Sequence, residues 1–261
     1  MSEKIIIDVK HLVKKYGETT ALRDLSFSVK KGDVFGLLGP NGAGKTTTVK
    51  ILIGLLKPTD GFVRVFDYDP SETPIEVKKR IGYVPEEVTL YESLTVKEFL
   101  DFVVSVRGCD KSVERRINAL LSAFDIREYY ELPISSLSQG TKQKVAIIAA
   151  MIHKPPLLIL DEPLKGLDAR TAKILKELLH LHVKNGGTIL FSTHIMEIAE
   201  SICTRIGIIY NGEIVAEGSV SELRTMIKDA GASLEEIFLR VTKQEEEVEE
   251  AIKEIQEAFG G

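Results

Sequence analysis

Residues 34–46 read VFGLLGPNGAGKT, and this stretch decides the fold class of the chain. The apolar run 34–38 is typical of a strand that is buried on both faces of a parallel sheet. Residues 39–46 fit the pattern G-x-x-x-x-G-K-[ST], in which a glycine-rich loop follows a strand and opens a helix. A glycine-rich turn that contains Lys and Thr by chance is the alternative, and the strand and helix on either side argue against it.

The loop predicts a site for the phosphates of a nucleotide. Its glycines let the backbone curl so that successive N–H groups point inward at the phosphates. Lys45 supplies a positive charge there, and the hydroxyl of Thr46 is a ligand for Mg²⁺. The residues expected to bind nucleotide in this loop are Gly39, Pro40, Asn41, Gly42, Ala43, Gly44, Lys45, Thr46 and Thr47.

Two adjacent acids form the second half of the predicted site. Residues 157–162 read LLILDE, so Asp161 and Glu162 come at the carboxyl end of a buried strand. Open α/β sheets bind their ligands at that edge. Asp161 is expected to hold Mg²⁺ together with Thr46, and Glu162 to orient an attacking water. A solvated strand end is the alternative for a lone Asp-Glu pair, and the glycine-rich loop elsewhere in the chain argues against it.

The pattern of strands and helices predicts an α/β fold. Its core is a P-loop NTPase core with a mainly parallel sheet, because strand and helix patterns alternate. Strand patterns at 4–9 and 25–29, with a turn at Gly17, predict an N-terminal antiparallel β subdomain. Helical periodicity replaces strand patterns over about 94–153, which predicts an inserted α-helical subdomain.

The domain prediction is one ATPase domain over 1–240 and a helical extension over 241–261. In the extension, four apolar residues share one helical stripe: Val248, Ile252, Ile255 and Phe259. A helix docked on the domain and a helix that binds a partner both fit this pattern.

Composition limits the function classes. The chain has 261 residues, of which 44% are hydrophobic and 28% are charged, and a net charge of −5. A mildly acidic chain does not favour nucleic-acid binding, so no nucleic acid is expected. No charge-free apolar stretch approaches the 18–20 or so residues of a membrane span. Cys109 and Cys203 have no metal-like spacing and are expected to be free thiols in a reducing cytosol.

Residues 137–144, LSQGTKQK, predict a second helix start that attracts anions, about a hundred residues after the loop. An exposed helix N-terminus stabilises an anion by only about 0.3–1 kcal/mol, which is too little to hold a nucleotide alone. We therefore expect this stretch to complete a site whose main contacts lie elsewhere, and a second copy of the protein could present it. A capped helix with nothing bound is the alternative.

Five motifs in order resemble the ABC-type ATPases: GPNGAGKT, LSQGTKQK, LLILDEP, the GLD of 166–168 and the FSTH of 191–194. The resemblance covers about residues 3–240. It implies that two copies of such a domain, called cassettes, dimerise head-to-tail and trap two ATP molecules. Each ATP would lie between the glycine-rich loop 39–46 of one copy, called the P-loop, and the helix that begins with LSQGTKQK in the other, called the signature helix.

The same resemblance implies roles for five further residues. Tyr16, in KKYG, matches the aromatic residue that stacks on adenine. Ser138 and Gly140 would contact the γ-phosphate of an ATP bound to the other copy, and Asp168 would communicate across the interface. His194 would be the catalytic switch that holds the γ-phosphate and senses its loss.

The sequence departs from the family pattern at two places. The signature is commonly LSGGQ, whereas this chain has Gln139 and Thr141 at the third and fifth positions. The family's loop glutamine after strand 81–84 is Glu86 here, which adds negative charge near the γ-phosphate. We expect Glu86 to keep a role in holding the metal or sensing water.

The resemblance implies an ATP-hydrolysing subunit that powers a separate transmembrane permease. Such a subunit would be cytoplasmic and peripheral at the inner face of the cell membrane. The segment 233–242, SLEEIFLRVT, is similar to cassettes of the drug and polysaccharide export branch. A soluble ATPase of an assembly process such as iron–sulfur cluster building is the alternative. The transported substrate, and the choice between homodimer and heterodimer, stay open.

Overall fold

Two β-sheets and ten α-helices make up the computed structural model, which describes residues 4–259. The strands are β1 Ile5–Tyr16, β2 Thr19–Lys30, β3 Val34–Leu38, β4 Asp60–Val65, β5 Ile81–Val84, β6 Leu157–Asp161, β7 Thr188–Thr193, β8 Arg205–Tyr210 and β9 Glu213–Gly218. The helices are α1 Lys45–Leu52, α2 Pro74–Lys78, α3 Val96–Arg107, α4 Val113–Ala123, α5 Gln139–Met151, α6 Ala169–Lys184, α7 Met196–Ile202, α8 Val220–Met226, α9 Leu234–Val241 and α10 Glu245–Phe259.

The N-terminal strands form a three-stranded antiparallel sheet in the order β2-β1-β4. This confirms the antiparallel β subdomain and the turn at Gly17, whose φ is +55°. Strands β1 and β2 are both longer than the strands predicted at 4–9 and 25–29. Strand β1 pairs with a neighbour on each side, and irregularities in register between Val9 and Leu12 carry the ladder through the polar residues that follow.

The larger sheet has the order β5-β6-β7-β3-β8-β9 and is parallel except for β9 at its edge. Its central strands β3, β6 and β7 have every residue buried, as expected for strands covered on both faces. The register pairs Leu38 with Thr193 and Asp161 with Ser192. The carboxyl ends of β3, β7 and β6 therefore lie side by side, and this edge carries the site.

Helices α3, α4 and α5 form the inserted helical region. Their buried faces share one apolar core with the sheet, to which Leu100, Ile117 and Val145 contribute. A helical insertion in a P-loop core is thus confirmed, whereas the domain boundaries at 94, 153 and 240 stay predictions. Over residues 4–259, no helix combines the length and apolar character that a membrane crossing requires.

The ends of some elements differ from the sequence expectation. Helix α1 ends at Leu52 because the chain turns at Gly54, where φ is +68°. Helix α2 was not predicted. Helix α10 carries the expected apolar stripe, and it leaves that stripe exposed, with Phe259 86% accessible. The last residues of the predicted extension, 260–261, lie outside the described residues.

Candidate nucleotide site

The loop between β3 and α1 has the curled backbone that the motif predicts. Gly42 and Gly44 have φ values of +81° and +110°, a region that favours glycine. Lys45 begins α1, and its Nζ donates to the carbonyl oxygens of Gly39 at 2.7 Å and Pro40 at 3.0 Å. The Lys45 ammonium is thus held across the loop, where burial lowers its pKa and the nearby carboxylates of Glu162 and Asp161 oppose that shift.

The remaining loop residues lie where the motif predicts. Pro40 and Asn41 are exposed at the tip of the loop, and Ala43 is buried beneath it, its N–H donating to Pro40. Nine residues line a pocket of about 220 Å³ at this edge: Ala21, Asn41, Gly42, Gly44, Lys45, Thr46, Thr47, Glu86 and Glu162. The pocket brings the loop together with two of the predicted acids.

Asp161 and Thr46 form the pair that the sequence assigned to the metal. The Thr46 hydroxyl donates to Asp161 Oδ2 at 3.0 Å. Asp161 is 1% exposed, and its Oδ1 has no hydrogen-bond partner among the described residues. Burial raises the pKa of Asp161. A buried carboxylate oxygen without a donor, beside a hydroxyl, fits Mg²⁺, which prefers oxygen ligands.

The protein alone supplies few metal ligands. Within residues 4–259, no group of three or more His, Cys, Asp and Glu side chains is placed to hold a metal ion. Mg²⁺ is commonly bound through one or two protein oxygens, with water and substrate phosphates completing the shell. The residues present therefore fit a metal that arrives together with a nucleotide.

Glu162 is held by the neighbouring strand end. It has a φ of +48°, and its backbone N–H donates to Ser192 in β7. Its side chain is 6% exposed, and Oε1 accepts a hydrogen bond from the backbone N–H of His194 at 2.8 Å. His194 Nδ1 lies 2.6 Å from the same oxygen. The structure thus brings the two predicted catalytic residues into direct contact.

Thr193 is a site residue that the sequence analysis missed. It is 1% exposed, and its hydroxyl donates to Glu162 Oε2 at 3.0 Å. The hydroxyl oxygen of Thr193 also accepts a hydrogen bond from the backbone N–H of Ile195, at 3.1 Å. The Thr193 hydroxyl therefore links the Glu162 carboxylate to the backbone at Ile195, directly after His194. The sequence signal that could have identified Thr193 was its position directly before His194, in the FSTH motif at the end of an apolar strand.

Glu86 lines the pocket, and its carboxylate accepts a hydrogen bond from a lysine. Its Oε1 accepts from Lys165 Nζ at 2.9 Å, and Lys165 lies in the turn that follows Glu162. This pairing raises the pKa of Lys165. The structure places Glu86 next to the predicted metal pair, and its role there stays a prediction.

Tyr16 lies at the end of β1 and is 46% exposed. Lys14 Nζ lies 5.1 Å from the centre of its ring, which is within the range of a cation–π contact. Tyr16 does not line the pocket around Lys45. An exposed ring suits stacking on a flat base, and this role of Tyr16 stays a prediction.

The remaining predicted residues form a second surface, away from the pocket lining. Ser138 caps α5 and accepts from the N–H of Thr141 at 3.2 Å. A Cβ on Gly140 would lie 3.1 Å from the carbonyl oxygen of Gly166, so the start of α5 packs against the turn before α6. Asp168 caps α6, and hydrogen bonds from Thr171 lower its pKa to about 2.

A buried lysine, a Thr–Asp pair and a carboxylate held by histidine meet at one sheet edge, which defines a P-loop nucleotide-binding protein. The family model "ABC transporter" matches residues 22–165. The chain belongs to this family. It is 35% identical over 241 residues to the ABC-type transporter ATP-binding protein EcsA of Bacillus subtilis, covering 92% of this chain and 98% of EcsA.

Solved structures agree with this assignment. An ATP-binding subunit of an ABC transporter has a TM-score of 0.87 and 36% identity, covering 91% of this chain and 99% of that one. The dimeric post-hydrolysis state of the ATP-binding cassette MJ0796, bound to ADP and Pi, has a TM-score of 0.73 and 27% identity, covering 82% of this chain and 98% of that one.

Some relatives are longer than this chain. The probable multidrug ABC transporter ATP-binding protein YbhF of Escherichia coli is 36% identical over 84% of this chain. The chain spans 38% of the length of YbhF.

Proposed function

We propose that this chain is the ATP-binding and ATP-hydrolysing subunit of an ABC transporter. The observation that carries the proposal is the meeting of Lys45, Thr46, Asp161, Glu162 and His194 at the carboxyl ends of β3, β6 and β7. Family membership supports an ATP-driven activity, and the described pocket supplies the residues that such an activity needs.

The P-loop would bind the phosphates, with its backbone N–H groups and Lys45 directed at the β- and γ-phosphates. Thr46 and Asp161 would hold Mg²⁺, which neutralises charge that develops on the phosphate oxygens. Gly42 has no atom within 4 Å of the place where a Cβ would stand, so a phosphate could approach the backbone closely there. Tyr16 would stack on the base.

Glu162 would orient the attacking water. Its carboxylate accepts hydrogen bonds from Thr193 and His194, so its position is set before a substrate arrives. Preorganised groups of this kind need no rearrangement as the reaction proceeds. His194 is 44% exposed at its side chain, and it would reach the γ-phosphate from the open side of Glu162.

Two copies would complete the nucleotide sites. Ser138 and Gly140 lie at an exposed helix start outside the pocket lining, and Gly140 packs next to Gly166 in the turn before Asp168. A head-to-tail partner would present this surface to the P-loop of the other copy. The turn 166–168 would then lie at the interface, where Asp168 would communicate between the sites.

A groove indicates where the permease would dock. It has a volume of about 440 Å³ between the loop after β5 and helix α3, and Leu90, Phe99 and Val103 line it. Phe102 and Val106 in its wall are exposed by 47% and 67%. An exposed apolar groove of this kind suits a helix of a membrane protein. The chain would accordingly act at the inner face of the cell membrane, on the cytoplasmic side.

A transporter role is favoured over the assembly-ATPase alternative by the relatives named above. EcsA and YbhF are described as transporter ATP-binding proteins. The names of these relatives support a transporter role for this chain.

Glu162→Gln tests the proposal. Gln has the same shape, its oxygen keeps the hydrogen bonds from His194, and its amide faces the hydroxyl of Thr193 as a donor. We expect the variant to bind ATP, to dimerise with it on size-exclusion chromatography, and to hydrolyse it about 10²–10³-fold more slowly. Glu177→Gln, an exposed acid on α6, is the matched control and should hydrolyse ATP at the unaltered rate. Hydrolysis at the unaltered rate by Glu162→Gln, or a monomer at saturating ATP, would refute the assignment.

A further inference from the structure

The pocket at the P-loop has an excess of acidic side chains. Glu86 and Glu162 line it, and Asp161 lies next to them with its hydrogen bond to Thr46. Lys45 is the cation among the lining residues. A nucleotide brings several further negative charges, so carboxylates that face its phosphates oppose binding. Glu86, besides its predicted role toward the metal or water, adds a negative charge that a neutral glutamine at this position would not.

Lys165 is placed to cancel that charge. Its Nζ lies 2.9 Å from Glu86 Oε1, and its backbone N–H donates to the carbonyl oxygen of Glu162. The second contact fixes the start of the Lys165 side chain one turn after Glu162. The ion pair directs the Lys165 ammonium at Glu86, which lies in the loop after β5, whereas Glu162 follows the neighbouring strand β6.

The ion pair also joins two parts of the site. Glu86 lies in the loop after β5, whose residues Pro85, Val88 and Leu90 line the groove described above. Lys165 lies in the turn between β6 and α6, which also contains Gly166 and Asp168. The pair therefore crosses from the loop at the groove to the turn that packs against the start of α5.

We propose that Lys165 is a positioning residue for Glu86, and that it neutralises this carboxylate and holds it away from the phosphates of bound nucleotide. The inference rests on the nucleotide site proposed above. The acid at the position of the family's glutamine would then depend on Lys165, which lies 2.9 Å from it, for its compatibility with bound nucleotide. Without Lys165, the carboxylates of Glu86, Asp161 and Glu162 would lie near the phosphates with Lys45 as the cation among the residues that line the pocket.

An ion pair without a role in binding is the competing interpretation. Partly exposed ion pairs contribute little to stability, so nucleotide affinity is the property that separates the two interpretations. The two interpretations differ in what they predict for nucleotide affinity and for its dependence on Glu86. A pair without a role changes neither, whereas a neutralising lysine matters only while Glu86 is charged.

The test is a double-mutant cycle on the affinity for ATP, measured by titration calorimetry in EDTA so that no metal contributes. Lys165→Met removes the charge and keeps the aliphatic stem, and we expect about three- to fivefold weaker binding at low salt. In the Glu86→Gln background the same change should alter the affinity by less than about 1.5-fold. Lys165→Arg keeps the charge and should bind within about twofold of the unaltered protein.

Controls separate this inference from the site it rests on. Lys173→Ala removes an exposed lysine of α6 that does not line the pocket, and it should leave the affinity unchanged. Lys45→Ala should abolish binding, and binding that survives it would refute the nucleotide site itself. Thermal unfolding midpoints identify any variant whose fold is damaged, and Lys165→Gln then replaces Lys165→Met in the cycle.

Three results would overturn the inference while leaving the site intact. The first is an unchanged affinity in Lys165→Met, and the second is an equal loss in the Glu86→Gln background, which would mean that Lys165 acts on the nucleotide directly. The third is a loss in Lys165→Arg as large as in Lys165→Met. A loss that shrinks as salt is added and vanishes without Glu86 would support it, because salt screens exposed charges.

Discussion

Thr193→Val removes a single buried hydroxyl at the sheet edge that carries the proposed nucleotide site. Valine has nearly the same volume, so the packing of β7 is kept while two hydrogen bonds are lost. Glu162 Oε2 loses the donor at 3.0 Å, and the N–H of Ile195 loses the acceptor at 3.1 Å. Glu162 Oε1 keeps both contacts to His194. The change therefore loosens the Glu162 carboxylate on one side only.

The expected loss of stability follows from the charged acceptor. A hydrogen bond to a charged group contributes about 1.5–3 kcal/mol, so the free energy of unfolding should fall by about 2 kcal/mol. For a chain of this length, the unfolding temperature should fall by about 4–8 °C. A carboxylate that is free to turn orients water less often, and we expect kcat to fall about tenfold, equivalent to about 1.4 kcal/mol in the barrier.

Two measurements check this prediction: thermal unfolding by circular dichroism, and steady-state ATP hydrolysis at saturating Mg·ATP. Thr193→Ser is the matched control, because it keeps the hydroxyl and loses only a methyl group. The serine variant should retain most of its kcat. A valine variant with unaltered kcat, or a serine variant as slow as the valine variant, would show that the hydroxyl does not position Glu162.

Three further changes test other parts of the structure. Asp161→Asn removes a charge from the predicted metal pair, so the affinity for ATP in EDTA should not fall, whereas the gain in affinity on adding Mg²⁺ should disappear. Gly140→Ala places a methyl group 3.1 Å from the Gly166 oxygen. ATP binding should persist, and ATP-induced dimerisation of the Glu162→Gln protein should weaken; dimers as abundant as before would exclude a tight contact there. Burial lowers the pKa of His153 to about 4, so the unfolded chain binds a proton below about pH 6.5 before the folded chain does. Stability to urea should fall between pH 6.5 and 4, and this fall should be shallower in His153→Gln; equal slopes would contradict a neutral buried His153.

Motifs with fixed spacing made much of the fold and the site predictable. The glycine-rich loop places Lys45 and Thr46 by its own backbone geometry, and an apolar strand before Asp161 places that acid at the sheet edge. Such features depend on neighbours in the sequence. The structure places Lys45, Thr46 and Asp161 at one sheet edge, and their roles there stay predictions. The antiparallel N-terminal sheet and the helical insertion are confirmed.

Contacts between distant segments could not be predicted in the same way. Strand β7 is buried on both faces, so its sequence has no alternation that shows which face Thr193 takes. Whether its hydroxyl meets Glu162 depends on the order of the strands. Likewise Lys165 is an ordinary turn residue until β5 and β6 pair and bring Glu86 within reach.

The central place of β7 has a consequence for the evolution of this chain. Strand β7 lies between β6 and β3, and its register with these two strands places Thr193 and His194 next to Glu162 and the P-loop. An inserted or deleted residue within β7 would turn Thr193 to the opposite face and separate His194 from Glu162 in one step. Length changes are therefore expected to survive in the connections around the helical insertion and in the C-terminal region, and to be eliminated from 188–194.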